Sequence, residues 1–225
     1  MDKYSFFAAN FLPTPEYLQP PKNRACVGCG VALAVRLIGK VVESYIDDAV
    51  YERSNVRTVF KGKTDMAFLK IKKGESRVVF CLDDEPKGGI DSAFNKAMPG
   101  QAVEAGLEYV ATACPSYPFD LIEKTRKALK VAGNSYIHVL CPCPSGWSFD
   151  TADTIKVGLK AVESLAFPLY EVENGVYALT NKTLKPRPVS DYLKAQNRFS
   201  RLKDKEIAAV NGLVAKEYKK LFGAA

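Results

Sequence analysis

Hydrophobic positions recur along this chain with two periods, and the switches between them set out its elements. From Gly30 to about Ser44, Val31, Val35, Ile38 and Val42 fall at helical spacing. Leu33, Leu37 and Val41 widen that stripe, which predicts a mostly buried helix. Three β-like runs follow, VRTVF, MAFLKI and SRVVFCL, divided by the turn-forming stretches GKTD and KKGE. EYVATA at 108–113 reads as another strand. Ser116 and Pro118 then open a helix with Asp120 and Glu123 early and Lys124, Arg126, Lys127 and Lys130 later, a polarity that suits the helix dipole. Gly133-Asn134 stops it, and SYIHVL at 135–140 is the next strand, so this strand–helix–strand unit is expected to be parallel. A helix from about Thr151 to Leu165 follows, then a hairpin in FPLYEVENGVYALT turning on Asn174-Gly175. Helices near 188–196 and 203–222 close the chain, whereas four prolines among residues 1–24 predict an extended lead-in.

The pattern predicts an α/β fold, a mostly parallel sheet flanked by helices. It divides into an α/β domain over 1–181 and a basic C-terminal helical arm over 182–225. The 225 residues are 47% hydrophobic and 25% charged, an ordinary composition for a globular protein. No apolar run approaches the roughly 18–20 residues that span a bilayer, and the N-terminus lacks a signal-peptide plan. A soluble, cytoplasmic protein is expected, with no membrane contact. The net charge of +7 is local: between Lys182 and Lys220 there are 11 Lys and Arg against four acids, and the rest of the chain balances. That arm is read either as a solvated face or as a docking surface for an acidic protein. Nucleic acid is not expected, because no reading motif accompanies the charge.

The six cysteines change the picture most. Cys26-Val27-Gly28-Cys29-Gly30 sits just before the first helix, where amide N–H groups favour thiolate. Cys114 directly follows the strand EYVATA, Cys141 directly follows SYIHVL, and Cys143 lies two residues on. Cys81 lies near the end of SRVVFCLDD. If these strands are parallel, their carboxyl ends share one edge, where open α/β sheets place their sites. Three readings stay open: buried thiols acting as small hydrophobes, which suits Cys81 best; an all-thiolate Zn²⁺ site; and a [4Fe–4S] cluster gathered from separate segments.

PEYLQPPKNRACVGCGVALAVRLIGK, EYVATACPSYPFDLIEKTRKAL, SYIHVLCPCPSGWSFD, and FPLYEVENGVYALT with KPRPVSDYLKAQNRF together resemble the β subunit of pyruvate (2-oxoacid):ferredoxin oxidoreductases. The likeness runs in family order over residues 16–44 and 97–222. It implies a thiamine-diphosphate-binding-like fold, thiamine diphosphate with Mg²⁺, a proximal [4Fe–4S] cluster, other oxidoreductase subunits as partners, and electron transfer to ferredoxin. By position, Cys26, Cys29 and Cys143 correspond to three of the family's cluster ligands.

The chain also departs from that family. The family's remaining cluster cysteine belongs to a Thr-Gly-Cys segment after the first helix, and nothing between Ser44 and Phe80 matches it. Cys141, or alternatively Cys114, is left as the expected fourth ligand. No Gly-Asp-Gly occurs anywhere, and Asp83 and Asp84 are read as a relic of the Mg²⁺ and diphosphate site. No catalytic residue is assigned, and the isolated chain is not expected to carry out the reaction. The alternative is a non-catalytic structural or assembly subunit whose cysteines are vestigial or hold zinc.

Other candidates are read blandly. His138, the only histidine, is a core or edge histidine rather than a catalytic base. Ser116 and Ser145 lack triad partners, and Gly88-Gly89 is too short for a phosphate loop. Trp147 is a packing anchor, and Gln196-Asn197-Arg198-Phe199 is read as a segment for subunit contacts.

Overall fold

The structure is a computed structural model that describes residues 25–42, 56–61, 78–84, 97–183 and 185–223, with backbone alone at 56–61. Its elements in chain order are helix α1 (Gly30–Val42), strands β1 (Val56–Lys61) and β2 (Val78–Asp83), and helix α2 (Ala97–Glu104). Next come β3 (Tyr109–Ala113), α3 (Pro118–Lys130), β4 (Ser135–Leu140) and the single-turn helix α4 (Pro144–Trp147). Helix α5 (Thr154–Glu163), β5 (Tyr170–Glu173), β6 (Val176–Leu179), α6 (Val189–Lys194) and α7 (Asp204–Phe222) complete the chain.

Among the described residues, six strands form one sheet in the order β1-β2-β4-β3-β5-β6. The first four are mutually parallel, while β5 runs antiparallel to β3 and β6 antiparallel to β5. The expected parallel unit β3–α3–β4 is present, with Tyr109 opposite Ser135 and Ala113 opposite Val139. The hairpin turns on Asn174 (φ 49°) and Gly175 (φ 81°), the pair of left-handed residues that a tight two-residue turn requires. The run MAFLKI lies outside the described residues.

Alternation along the strands divides the core between the two faces. Val78, Phe80, Leu82, Ala111, Ile137 and Val139 pack beneath Ala34 and Ile38 of α1 and Leu121 and Ala128 of α3. Val79, Cys81, Val110, Tyr136, Tyr170 and Val172 face the other way, toward Met98 and Ala102 of α2. A third cluster at the carboxyl end joins Cys114, Leu140 and Trp147 to α5, α6 and α7. The final helices therefore share this domain's core: Val210 and Val214 lie in that cluster, and Phe222 reaches back to Tyr170, ring centroids 5.4 Å apart.

Two features go beyond the sequence reading. Residues 97–104, to which that reading assigned no element, form α2 although they contain Pro99-Gly100. Both residues fall in the first turn, where a missing N–H costs no helical hydrogen bond. The helix expected from Thr151 begins as a 3₁₀ turn over Thr151–Asp153, capped when the Asp150 carboxylate accepts from the Ala152 N–H at 2.8 Å.

Candidate functional site

The carboxyl ends of β2, β4 and β3 carry Asp83, Cys141 and Cys114, and the turn after β4 carries Cys143. The sequence-distant loop Cys26–Gly30 is bound directly to this edge. Its turn closes with the Cys29 N–H donating to the Cys26 carbonyl at 3.1 Å, and the Gly30 N–H donates to the Pro142 carbonyl at 3.1 Å. The Thr154 hydroxyl at the start of α5 donates to the Gly28 carbonyl at 2.6 Å. A Cβ on Gly30 would come within 2.7 Å of the Pro142 nitrogen, and one on Gly28 (φ 71°) would collide with the Thr151 backbone. Both glycines are thus fixed by close backbone approach. CVGCG and CPCP form one surface, latched by α5.

The sulfurs differ in what surrounds them. Cys26 is exposed, and Cys29 and Cys143 are half-buried. Cys143 caps α4, its Sγ accepting from the Gly146 N–H at 3.3 Å and lying 3.6 Å from the Ser145 hydroxyl. Cys141 turns the other way: its Sγ donates to its own strand, to the Val139 carbonyl at 3.5 Å, within the cluster under α1. Burial pushes the Cys141 thiol well up from its ordinary range and lifts Cys114 to about 11. Cys114 sits against Gly158 of α5 in the carboxyl-end cluster, and Cys81 lies on the α2 face. The three buried thiols therefore occupy three separate clusters. Among the described residues, no three His, Cys, Asp or Glu side chains are gathered to hold a single metal ion.

Asp83 accepts a hydrogen bond from His138 Nε2 at 3.2 Å, and Tyr136 Oη lies 2.8 Å from His138 Nδ1. Burial opposes charge on this imidazole, but the hydrogen bonds to Asp83 and Cys81 outweigh it and raise His138 to about 10. His138 is thus a buried histidine with both nitrogens engaged, and Asp83 is engaged with it. Trp147 is buried, and the Arg198 guanidinium lies 4.1 Å above its ring. The Asn197 N–H donates to the Ser148 carbonyl at 3.0 Å, so the QNRF segment packs on the Cys143 turn of its own chain. Gly88-Gly89 lies outside the described residues.

Pattern reading of the sequence missed the Thr154 latch, the Gly146 N–H directed at Cys143, and Arg198 over Trp147. The Asp150-Thr-Ala sequence marks a helix start, but nothing in it says which loop that start will meet.

A helix-capped cysteine turn and a Cys-x-x-Cys loop joined at the carboxyl edge of a mostly parallel sheet define the class: an α/β protein with a thiol-rich edge. Pyruvate synthase subunit PorB of Methanosarcina barkeri is 45% identical over 206 residues, covering 80% of this chain and 68% of that protein. The chain belongs to that family, the β subunits of 2-oxoacid:ferredoxin oxidoreductases. The Methanocaldococcus jannaschii PorB is 45% identical over 116 residues, or 52% of this chain. Ketoisovalerate oxidoreductase subunit VorB of Pyrococcus horikoshii is 38% identical over 117 residues, or 51% of this chain. Those two alignments span only 39% and 38% of the relatives' own lengths. No family model matches. A solved 2-oxoglutarate:ferredoxin oxidoreductase chain from Magnetococcus marinus covers 88% of this chain at 12% identity and a TM-score of 0.38, too loose a match to carry argument. Among the described residues, no helix is long and apolar enough to cross a membrane.

Proposed function

We propose that this chain is the β-type subunit of a 2-oxoacid:ferredoxin oxidoreductase complex and that it contributes an iron–sulfur electron relay held by Cys26, Cys29 and Cys143. The observation that carries the reading is the Gly30–Pro142 hydrogen bond, which sets the Cys-x-x-Cys loop against the Cys143 turn. The donor set fits a cluster in kind. Three thiols lie at or near the surface on two joined loops, and a backbone N–H already points at one sulfur, the sort of contact that tunes cluster potential. When bound, the cluster would take and pass single electrons; this chain's residues hold it and set its exposure.

Thiamine diphosphate and Mg²⁺ fit this chain poorly. Asp83 is engaged by His138, and no Gly-Asp-Gly is present to act with Asp83-Asp84. Decarboxylation of a 2-oxoacid therefore belongs to the assembled complex, with these elements supplied elsewhere in it. The basic segment 182–225 offers lysines from the exposed side of α7 to neighbouring subunits or to an acidic ferredoxin, whose approach such charge accelerates. Six free thiols suit the reducing cytoplasm.

The test is the metal content of anaerobically purified chain. Brown protein containing iron and sulfide, lost on Cys143→Ser and on Cys26→Ser, supports the relay. Colourless protein, or protein holding zinc alone, establishes instead the alternative of a structural or assembly subunit.

A further inference from the structure

We infer that the outward face of α7 is a docking site for an acidic protein that binds and leaves, and that this face does not pack permanently on another subunit. The inference deepens the partner reading above, committing to the transient of the two occupants named there, and it needs no bound cofactor.

The helical repeat separates α7 into two stripes. Ile207, Val210, Val214, Tyr218 and Leu221 are buried or half-buried against the domain. Lys205, Ala209, Gly212, Lys216 and Lys219, spaced i, i+4, i+7, i+11 and i+14, are all exposed and form the opposite stripe, with exposed Lys220 beside it. The acids of the helix fall off this stripe. Asp204 and Glu206 sit in the first turn, where they suit the helix dipole and Glu206 accepts from the Lys203 N–H at 2.8 Å; Glu217 lies on the half-buried flank. Among the described residues, no carboxylate lies within ion-pair reach of Lys205, Lys216, Lys219 or Lys220. One helix therefore displays four unpaired positive charges along about 22 Å, at 1.5 Å of rise per residue.

What the face lacks decides the kind of partner. Permanent subunit interfaces are built around apolar anchors and are poor in lysine. Here the stripe between Lys205 and Lys216 holds only Ala209 and Gly212, and nothing lies within 4 Å of a Cβ placed on Gly212. The large exposed hydrophobics among the described residues, Val27, Phe119, Ile155 and Val176, all lie outside α7. Stripping water from four ammonium groups with no apolar burial to offset it is unfavourable, whereas a wet, charge-matched contact leaves them hydrated. Such a contact raises the on-rate and sets orientation without slowing release.

The test uses a ferredoxin of net negative charge as the probe. Exposed lysines of the wild-type chain, alone and in the assembled complex, are acetylated with an N-hydroxysuccinimide ester and located by mass spectrometry. Lys205, Lys216, Lys219 and Lys220 should label equally in both. Added ferredoxin should protect them at low ionic strength, and about 1 M salt should abolish that protection. In stopped-flow binding, Lys216→Gln with Lys219→Gln should lower the association rate constant about 3–10-fold and flatten its salt dependence. Lys130→Gln with Lys156→Gln removes the same charge from exposed sites on α3 and α5 and should leave the rate nearly unchanged.

Lysines of α7 already shielded in the complex before ferredoxin is added would show a permanent subunit interface and overturn the inference. So would protection that survives high salt, no protection at all, or an equal loss of rate in the two double variants. Because the labelling uses wild-type protein, a variant that fails to fold leaves the question decided. Protein without iron defeats the relay reading but leaves docking measurable, so the two failures are told apart.

Discussion

The backbone N–H of Gly30 donates to the Pro142 carbonyl across 3.1 Å, so helix α1 begins on the very turn that presents Cys143. A Cβ on Gly30 would lie 2.5 Å from the Pro142 oxygen and 2.9 Å from the Cys141 carbonyl carbon, both backbone atoms that no rotamer change can move. Gly30→Ala should therefore push the loop off the turn, at about 1–3 kcal/mol of stability. Under the relay reading it should also lower iron per chain. Gly212→Ala is the control: nothing lies near that position in α7, and the change should stabilise by about 0.5–1 kcal/mol. Urea unfolding of both variants reads the contrast, and equal effects at the two glycines would contradict it.

Lys124 is buried, and its Nζ donates to the Thr112 carbonyl, the Asp120 carboxylate and the Thr180 hydroxyl, each at 2.7 Å. Burial depresses its basicity and Asp120 works in the opposite direction. The ammonium thereby ties the start of α3 to β3 and to the residue after β6. Lys124→Met leaves Asp120 without its cation and should cost about 3 kcal/mol, the lower end for breaking a buried pair, since Asp120 keeps some access to water. The double variant with Asp120→Asn should recover part of that loss. A double-mutant cycle by chemical denaturation measures the coupling, and strict additivity would show that the pair does not interact.

Much of this architecture is legible in the residues because local signals agree with the global fold. The stripe Val31–Val35–Ile38–Val42 gives α1, Pro118 starts α3 at its first residue, and Asn174-Gly175 dictates the hairpin. Helix α2 was illegible, because Pro99-Gly100 signals a break unless one knows that both fall in a first turn. The placement of Cys114, Cys141 and Cys143 just after strand ends was readable, but the direction of each sulfur was not. Direction depends on strand register and on what each helix covers, and one residue of register moves a thiol from edge to core. The union of residues 26–30 with 141–143 is a long-range contact that no periodicity encodes.

Arg198 offers a spectroscopic test of how the final helices are held. Its guanidinium stacks 4.1 Å from the Trp147 ring and 4.6 Å from that of Phe199, while its Nε donates to Gln196 at 2.9 Å. Trp147 is the only tryptophan of the chain, so emission reports this contact directly. Arg198→Met should remove about 1–2 kcal/mol of cation–π stabilisation and red-shift the emission as water reaches the indole. Arg198→Lys should rescue little, because an ammonium lacks the flat fork that stacks and bonds at once. Unchanged emission in both variants would mean that the segment is held by the apolar contacts of Val189, Tyr192 and Leu193 alone.

His138 makes stability depend on pH with a sign opposite to that of an ordinary buried histidine. Burial alone would keep the ring neutral, but Asp83 and Cys81 outweigh it and hold the imidazolium to about 10, with Tyr136 placed to accept from Nδ1 and Phe167 packed 5.9 Å away. Unfolded, the side chain titrates near 6.5. Below that value both states carry the proton and the stabilisation is complete. Above it only the folded chain keeps the proton, so stability falls as pH rises, by at most about 1.4 kcal/mol per pH unit, until the folded histidine titrates near 10. Urea midpoints should therefore decline between about pH 7 and 9. His138→Gln should flatten that decline while lowering stability at pH 6, where the lost ion pair with Asp83 counts fully. Asp83→Asn should flatten it as well, because without the carboxylate the desolvation that favours the neutral ring prevails. A wild-type stability that stays level or rises across this window would show that the histidine is held neutral.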